Sequence, residues 1–427
     1  MSKANLKKIL KKIGPLITLH RWILRMRILV RQTLFQSRSL YQINYTSSKI
    51  YNACITKTSY KSQKKEKVAA IKTVIIIYSE THFDPKEDNL TKKHSQSSAA
   101  NLARSIYKSF SDKDITYLDK DKKINEIPRA DLIIGVISHN FIKICKANPQ
   151  AEKVLFLVNS HPLYRAKVLL EESRELRRRL YRQEWVNPLT FLRAQKHTDK
   201  MILIGNEFVR NTYINQGVDS RKLFLLNSGV NLDFLTPDFS KRPSDKIRVI
   251  YSASDLGIRK GLFRVMQYWE SLNSLLTNNL YELKIVGGNT SFHKEIKEFA
   301  KKFNNVEYLG WIDSSTEEYR QILQSSHIII FPSIEEGQAG TVLEAMACGC
   351  VPIITEQSGV PITDEKDGFV IKNYTNASEF VDYLNKLSEN RLLIDTMSAR
   401  SRDYTEKKHS WNNFIEKFKN TAQIISV

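Results

Sequence analysis

The most informative stretch of the chain is FPSIEEGQAGTVLEAMACGCVPII, from Phe331 to Ile354. It opens with the end of an apolar, β-branched run typical of a buried strand, and a polar turn with two glycines follows. A helix is predicted to begin between Ala339 and Thr341 and to lead into a further strand, Val351–Ile354. This order of strand, turn and helix is the repeating unit of a parallel sheet covered by helices on both faces.

The same alternation extends along most of the chain in two series, separated by the polar stretch at residues 237–245. The sequence therefore predicts an α/β fold of two doubly wound domains, at residues 71–240 and 241–399, with a helix at residues 400–427 that packs on the body. Ligands of such sheets bind beyond the carboxyl ends of the strands, which places the expected site in the cleft between the domains. The predicted strands are Thr73–Tyr78, Leu132–Ile137, Val154–Val158, Met201–Ile204, Lys222–Leu225, Ile247–Tyr251, Glu282–Val286, Val306–Leu309, Ile328–Phe331, Val351–Ile354 and Gly368–Val370.

The turn from Gly337 to Thr341 is typical of an anion-binding helix start. Its backbone N–H groups and the helix dipole favour a phosphate. Gly337 and Gly340 lack Cβ atoms where a ligand would approach the backbone. Glu336 and Glu344 flank this helix start, and a carboxylate between two neighbouring hydroxyls is a common way to bind a sugar or a ribose. The residues alone leave a second interpretation open, in which both glutamates only stabilise the helix N-terminus.

This stretch resembles the signature of the retaining glycosyltransferases of family 4 (glycosyl transferases group 1). That signature is a Glu-Gly pair, then six residues, then a second Glu followed by Ala-Met-Ala-Cys-Gly, and here it runs from Glu336 to Gly349. The resemblance is strong over residues 227–395, weaker over 73–226 and absent before them. It implies two facing Rossmann-like domains, the GT-B architecture. Further matching segments are Asn227–Pro237, Leu283–Gly288, Val306–Trp311, Ser358–Gly359 and Asp367–Phe369.

The resemblance also implies roles for individual residues. Glu336 lies beside the donor sugar near its anomeric carbon, and Glu344 binds the ribose hydroxyls of the donor. Lys260 stabilises the leaving diphosphate, and His161 contacts the donor sugar from the opposite wall of the cleft. Glu336, His161 and Lys260 are therefore the predicted catalytic residues. The remaining predicted donor-binding residues are Arg259, Gly287, Trp311, Gly337, Ala339, Gly340 and Thr341.

Some of these assignments have alternatives or departures. The family usually has an arginine where this chain has Asp255, and Arg259 is predicted to replace that cation. A solvated cation at the helix start is the other interpretation of Arg259. Trp311 either flanks the nucleobase or belongs to the core, and His161 at a strand end is either functional or structural.

The predicted activity is transfer of a sugar, of the hexosyl type, from a nucleotide-diphosphate sugar to a hydroxyl acceptor, with retention at the anomeric carbon. The resemblance implies no metal ion and no other cofactor, and the leaving phosphate is expected to take the acceptor proton. Two alternatives stay open. One is a nucleotide-sugar epimerase of the same architecture, and the other is a non-catalytic scaffold that binds a nucleotide sugar at a membrane.

The charge of the chain is concentrated at its N-terminus. The net charge is +21, and residues 1–65 contain fifteen Lys or Arg and no acidic residue. Apolar residues such as Leu6, Leu10 and Trp22 recur between these cations, which is typical of a helix on an anionic membrane surface. A helix that packs on the body is the alternative interpretation of residues 1–70. Nucleic acid is the least favoured partner, because no nucleic-acid-binding motif accompanies the charge.

The compartment follows from what the sequence lacks. There is no uninterrupted apolar run for a signal peptide or a membrane span, and the four cysteines fit a reducing environment. We therefore expect a cytoplasmic protein that binds peripherally to the inner face of the membrane. Such a location would suit a lipid-linked glycan acceptor and a role in the assembly of cell-surface polysaccharide or glycolipid.

Overall fold

The structure is a computed structural model that describes residues 71–81, 83–85, 97–177, 188–275, 280–288 and 290–423. The predicted basic arm, residues 1–70, lies outside these ranges. Two sheets follow each other along the chain. The sheet before residue 227 with its helices is the first lobe below, and the sheet after residue 246 with its helices is the second lobe.

Six parallel strands form the first-lobe sheet, in the order β2-β1-β3-β4-β5-β6. The central strands β3, β4 and β5 are buried along their whole length, because helices cover both faces. The strands are β1 (Thr73–Tyr78), β2 (Asp114–Asp119), β3 (Leu132–Gly135), β4 (Glu152–Leu157), β5 (Lys200–Ile204) and β6 (Leu223–Leu226). The helices are α1 (Ser98–Lys108), α2 (His139–Ala147), α3 (Pro162–Glu175), α4 (Pro188–Gln195) and α5 (Glu207–Ile214).

The sequence did not predict β2. Among the described strands it pairs with β1 alone, at the edge of the sheet, and most of its side chains are partly exposed. Its sequence, DITYLD, therefore lacks the continuous apolar run that marks the buried strands. The other predicted strands are confirmed to within a few residues at their ends.

Six parallel strands also form the second-lobe sheet, in the order β12-β11-β10-β7-β8-β9. Strands β8 and β9 lie on one side of β7, and β10, β11 and β12 lie on the other. The direction in which the chain adds strands therefore reverses between β7 and β10. The predicted pair of doubly wound α/β sheets is thus confirmed. The strands are β7 (Ile247–Asp255), β8 (Tyr281–Gly288), β9 (Val306–Gly310), β10 (Ile328–Phe331), β11 (Val351–Thr355) and β12 (Phe369–Ile371). The helices are α6 (Leu262–Leu275), α7 (His293–Lys302), α8 (Glu317–Gln324), α9 (Gly340–Ala347), α10 (Ser378–Glu389) and α11 (Arg391–Lys408).

The chain returns to the first lobe at its C-terminal end. The last described helix, α12 (Trp411–Gln423), buries Phe414, Phe418 and Ala422 in the first-lobe core. The ring of Phe418 meets Phe110 and Phe156 edge-on, at centroid distances of 6.3 and 5.6 Å. The C-terminal segment therefore ties the two lobes together. No helix in the described part of the chain has the length and apolar character needed to cross a bilayer.

Candidate functional site

Two loops at the reversal of strand order in the second lobe bring opposite charges together. Arg259 and Lys260 lie between β7 and α6, and Glu336 lies between β10 and α9. Nη1 of Arg259 is 2.7 Å and Nζ of Lys260 is 2.8 Å from Oε1 of Glu336. The structure thus joins three of the predicted site residues at the carboxyl ends of two central strands, where ligands of such sheets bind.

Backbone contacts hold these two loops in register. The carbonyl oxygen of Arg259 accepts hydrogen bonds from the Ile334 amide and the Ser333 hydroxyl, both at 3.0 Å. Gly261 has a φ of +79°, and a Cβ there would lie 2.1 Å from the carbonyl oxygen of Pro332. A glycine is required because the backbone turns left-handed against the other loop. Arg259, Lys260 and Glu336 therefore lie on loops whose backbones are fixed to each other.

The carboxylate of Glu336 is held in its ionised form. Burial alone would raise its pKa, but the charges of Arg259 and Lys260 and their hydrogen bonds lower the pKa from 4.5 to about 2. Glu336 is therefore an anion at neutral pH, and the two cations face it from one side. An anionic group such as a diphosphate that entered here would meet cations already in place.

Asp255 adds a second negative charge to the cluster, at the position where the resemblance predicts an arginine. Its Oδ2 lies 3.4 Å from Nη2 of Arg259, and its Oδ1 lies 3.8 Å from Nζ of Lys260. Burial alone would lower the pKa of Arg259, but Glu336 and Asp255 raise it above its usual value. Arg259 is thus a largely buried, paired cation, and the alternative of a solvated helix-start residue is wrong.

The second predicted carboxylate, Glu344, lies on α9 in a different environment. The Tyr319 hydroxyl donates to its Oε2 at 2.9 Å and stands 3.1 Å from the Ser252 hydroxyl. Ser98, at the start of α1 in the first lobe, donates to Oε1 at 3.3 Å. Burial raises the pKa of Glu344, in contrast to Glu336. The two glutamates therefore differ in charge environment although they belong to one motif.

A cavity of about 370 Å³ opens beside Glu344 and Gly340. Its walls come from α1, α12, the segment that joins the lobes (residues 227–246), and the loop after β9. Both lobes therefore contribute. Hydroxyl and amide side chains alternate in it with aromatic ones. The lining residues are Ser98, Asn101, Gly229, Val230, Asn231, Phe234, Leu235, Ser314, Ser315, Gly340, Glu344 and Trp411.

The start of α9 departs from the prediction at one amide. The Ala339 amide donates to the Ser358 carbonyl oxygen at 2.9 Å, so the expectation that it meets a phosphate is wrong for this conformation. Ala339 is the N-cap residue and its side chain makes no capping hydrogen bond. The amides of Gly340 and Thr341 belong to the first turn, where helix geometry supplies no acceptor. They remain the predicted anion donors.

Both glycines of the turn lie against the first lobe, and the contact with first-lobe backbone requires a glycine at Gly337, which the sequence did not indicate. A Cβ at Gly337 would lie 2.2 Å from the carbonyl oxygen of Val158, just after β4. A Cβ at Gly340 would lie 2.7 Å from the Ser98 hydroxyl oxygen. First-lobe backbone thus takes the space beside Gly337, whereas Gly340 lines the cavity beside Glu344, so the expectation that a ligand approaches its backbone stays a prediction.

His161 is not open to the cleft, contrary to the prediction. Its ring is fully buried and meets Phe191 and Tyr213 edge-on, at centroid distances of 4.9 and 5.1 Å. Its Nδ1 accepts a hydrogen bond from the Leu163 amide at 3.1 Å and caps α3. Burial lowers the pKa of His161 from 6.5 to about 3, so the ring is neutral at physiological pH. Its contact with the donor sugar stays a prediction.

The last two predicted donor-binding residues lie at the ends of β8 and β9. A Cβ at Gly287, whose φ is +148°, would lie 2.1 Å from the Ala253 carbonyl oxygen. This glycine is thus required by the packing of β8 against β7, whatever binds nearby. Trp311 is 46% exposed, so the interpretation as a core residue is wrong. A contact with a nucleobase stays a prediction.

Sequence reasoning missed two polar residues of the same loop, Glu335 and Gln338. The Ser160 amide and hydroxyl donate to Glu335, and the Ser228 amide and hydroxyl donate to Oε1 of Gln338, at 2.7–3.0 Å. Both therefore reach across to residues that precede the second lobe. A polar side chain in a turn is expected to be solvated, so the sequence carries no signal for these contacts.

A family model matches this chain in the second lobe and the segment that precedes it. Residues 236–408 match the family model described as glycosyl transferases group 1. A component of the phosphatidylinositol N-acetylglucosaminyltransferase of Arabidopsis thaliana is 29% identical over 166 residues. That alignment covers 38% of this chain and 36% of the plant protein, so the chain matches only about a third of that relative.

A bacterial relative and a solved structure extend the comparison. UDP-Gal:alpha-D-GlcNAc-diphosphoundecaprenol alpha-1,3-galactosyltransferase from Escherichia coli is 24% identical over 231 residues, which cover 49% of this chain and 56% of that protein. Sucrose-phosphate synthase from Thermosynechococcus elongatus superimposes with a TM-score of 0.60 at 13% identity, over 82% of this chain and 98% of the other. The likeness shows a shared fold, the GT-B fold that the sequence predicts.

Proposed function

We propose that the whole chain is a glycosyltransferase of group 1 that transfers a hexosyl group from a nucleotide-diphosphate sugar to a hydroxyl acceptor, with retention. The observation that carries the proposal is the placement of Arg259 and Lys260 against Glu336, beside the start of α9. Two fixed cations and the amides of a helix start suit a leaving diphosphate. The family match of the second lobe supports the same reaction class.

The cavity beside Glu344 suits the nucleoside half of such a donor. Its volume of about 370 Å³ and its mixed polar and aromatic lining fit a base and a ribose. The carboxylate of Glu344 accepts from two hydroxyls, of Tyr319 and Ser98, which is the kind of contact that a ribose makes. Trp311 is exposed just after β9 and does not line this cavity, so its contact with the base stays a prediction.

The proposed reaction exchanges one bond for another at the anomeric carbon. The bond from that carbon to the diphosphate oxygen breaks, and a bond to the acceptor oxygen forms on the same face. The acceptor proton passes to the leaving phosphate oxygen. Arg259, Lys260 and the amides of Gly340 and Thr341 stabilise the charge that develops there, and Glu336 aligns the sugar. Because protein groups supply this charge, we expect activity to persist with EDTA.

A panel of nucleotide sugars and hydroxyl acceptors tests the proposal, with the anomeric configuration of the product read by NMR. We expect Lys260→Ala and Glu336→Gln each to lower turnover by about 100–1,000-fold. Lys302→Ala is the matched control, because this exposed lysine pairs with Glu270 on the surface. If turnover is unchanged in both site variants, the proposed site is refuted. Epimerisation of the donor sugar without an acceptor would indicate an epimerase instead, and binding without any turnover would indicate a scaffold.

The proposed acceptor is lipid-linked, and the proposed location is the cytoplasmic face of the membrane. Support comes from the E. coli relative, whose name specifies a diphosphoundecaprenol acceptor, and from the charge of residues 1–65. Deletion of residues 1–40 is expected to release the protein from anionic vesicles at moderate salt, while donor hydrolysis persists. Equal vesicle binding by the truncated protein would contradict the membrane role.

A further inference from the structure

We propose that Glu335 is a positioning residue that holds the loop of Glu336 in register with the first lobe, an inference that rests on the proposed function. Glu335 is fully buried and precedes Glu336 directly. Its Oε1 accepts from the Ser160 amide at 3.0 Å and from the Ser160 hydroxyl at 2.9 Å. Its Oε2 lies 3.2 Å from Nε of Arg165, an ion pair without hydrogen-bond geometry. Hydrogen bonds thus hold one carboxylate oxygen and charge attraction the other, both from the first lobe.

The backbone of Glu335 is fixed on the side of the second lobe. The Ser333 hydroxyl lies 3.3 Å from the Glu335 amide nitrogen and 3.2 Å from its carbonyl oxygen. Thr355, at the end of β11, donates to the Ser333 carbonyl oxygen at 2.5 Å. Since backbone and side chain are fixed to different lobes, any shift of one lobe against the other must strain or break these contacts.

The contacts of Glu335 lie beside a residue that the proposed reaction uses. Glu335 directly precedes Glu336, so its contact with Ser160 fixes the loop that carries Glu336 against the first lobe. The next residue, Gly337, approaches the carbonyl oxygen of Val158 so closely that a Cβ has no room. A displacement of about 1 Å between reacting groups costs about 100-fold in rate. Glu335 thus fixes the position of Glu336 relative to the first lobe, and the rate of the proposed reaction depends on that position.

A second ion pair between the lobes provides the matched control. Arg264 on α6 donates from Nε and Nη2 to the two oxygens of Glu172 on α3, at 2.6 and 2.9 Å. Both side chains are 2% exposed. Glu172 is two helical turns beyond Arg165 on α3, so both pairs connect this helix to the second lobe. Of these two ion pairs, only the one between Glu335 and Arg165 involves the loop that carries Glu336.

The test compares Glu335→Ala, Glu335→Gln and Glu172→Gln in the full-length protein. We expect kcat to fall about 100-fold in Glu335→Ala and about 10-fold in Glu335→Gln, which keeps one acceptor oxygen for Ser160. The KM for the donor should stay within about threefold, because Glu335 is fully buried and has no part in the proposed donor contacts. Glu172→Gln should lower Tm but leave kcat within about threefold. Wild-type kcat in Glu335→Gln, or an equal fall in Glu172→Gln, would overturn the inference.

A readout independent of turnover separates this inference from the proposed function. Spin labels at Arg221→Cys and Lys294→Cys, both on exposed positions of different lobes, report the distance between the lobes once Cys54 is replaced by Ser. Glu335→Ala should broaden this distance distribution, and an unchanged distribution would refute the positioning role. Absence of wild-type turnover on every donor would refute the proposed function, and the distance measurement would still decide the role of Glu335.

Discussion

Nη1 of Arg259 lies 2.7 Å from Oε1 of Glu336, and this contact joins the two loops on either side of the strand-order reversal. Lys260 reaches the same oxygen, so that one carboxylate faces two cations. A buried pair of this kind is costly to break, because the remaining charges lose their partner. The contact therefore has consequences for stability as well as for the proposed reaction.

We expect Glu336→Gln to destabilise the protein by about 3–5 kcal/mol at pH 7, because Arg259 and Lys260 lose the nearer and more buried of their two anions and keep Asp255. Since the folded state lowers the pKa of Glu336 from 4.5 to about 2, its stabilising effect is complete above pH 4.5 and is lost as the pH falls towards 2. Urea denaturation at pH 7, 5 and 4 checks this. The difference between wild type and variant should shrink below pH 4.5, and a constant difference would contradict the ionised, paired state.

The opposite behaviour is expected of Glu344. Burial raises its pKa, so ionisation of this carboxyl costs stability as the pH rises through its folded-state value. The Tm of Glu344→Gln at pH 8 should therefore equal or exceed that of wild type. Its affinity for UDP, measured by calorimetry, should nevertheless fall at least about 10-fold, because a charged acceptor for hydroxyls is lost.

Ser98→Ala is the matched comparison for Glu344→Gln. Ser98 donates to Glu344 from the other lobe, where a ribose hydroxyl would bind. If the donor replaces this hydrogen bond, its removal leaves UDP binding unchanged or tighter by a few-fold. Weaker UDP binding in Ser98→Ala would show that the serine supports the nucleoside instead of competing with it.

The glycines of the turn should differ in their response to alanine. At Gly337 the new Cβ meets the backbone of Val158 at 2.2 Å, so we expect a loss of about 1–3 kcal/mol and a fall in kcat/KM of at least about 10-fold. At Gly340 it meets the end of the Ser98 side chain at 2.7 Å. The double variant Gly340→Ala with Ser98→Ala should recover stability in thermal unfolding, whereas Ser98→Ala should not rescue Gly337→Ala.

Three histidines that are buried in the described part of the chain predict sensitivity to mild acid. Burial lowers the pKa of His161 and His327 from 6.5 to about 3, and that of His409 to about 4. The unfolded chain then binds protons below pH 6.5 that the folded chain does not, so stability falls as the pH falls. Each histidine lowers the free energy of unfolding by at most about 1.4 kcal/mol for each pH unit below 6.5. Unfolding free energies at pH 7 and 5 measure this slope, and His327→Asn should reduce it.

Much of the fold was predictable because it depends on local pattern. Buried parallel strands such as β10 are continuous apolar runs, and the strand, turn and helix around Glu336 follow from residues adjacent in sequence. The edge strand β2 was not predicted, because most of its side chains are partly exposed and its sequence therefore contains no continuous apolar run. The resemblance implied Glu336, Lys260 and Arg259 as site residues, and the structure brings their side chains together, while their catalytic role stays a prediction.

By itself, the sequence determined two series of strands and helices and the presence of a carboxylate-flanked helix start between Phe331 and Ile354. Only the tertiary structure decided that Glu335 meets Ser160, 175 residues earlier in the chain, that Gly337 packs against Val158, and that His161 is buried. The reason is physical. Periodicity records which face of an element is covered, whereas the partner that covers it is selected by packing between segments distant in sequence.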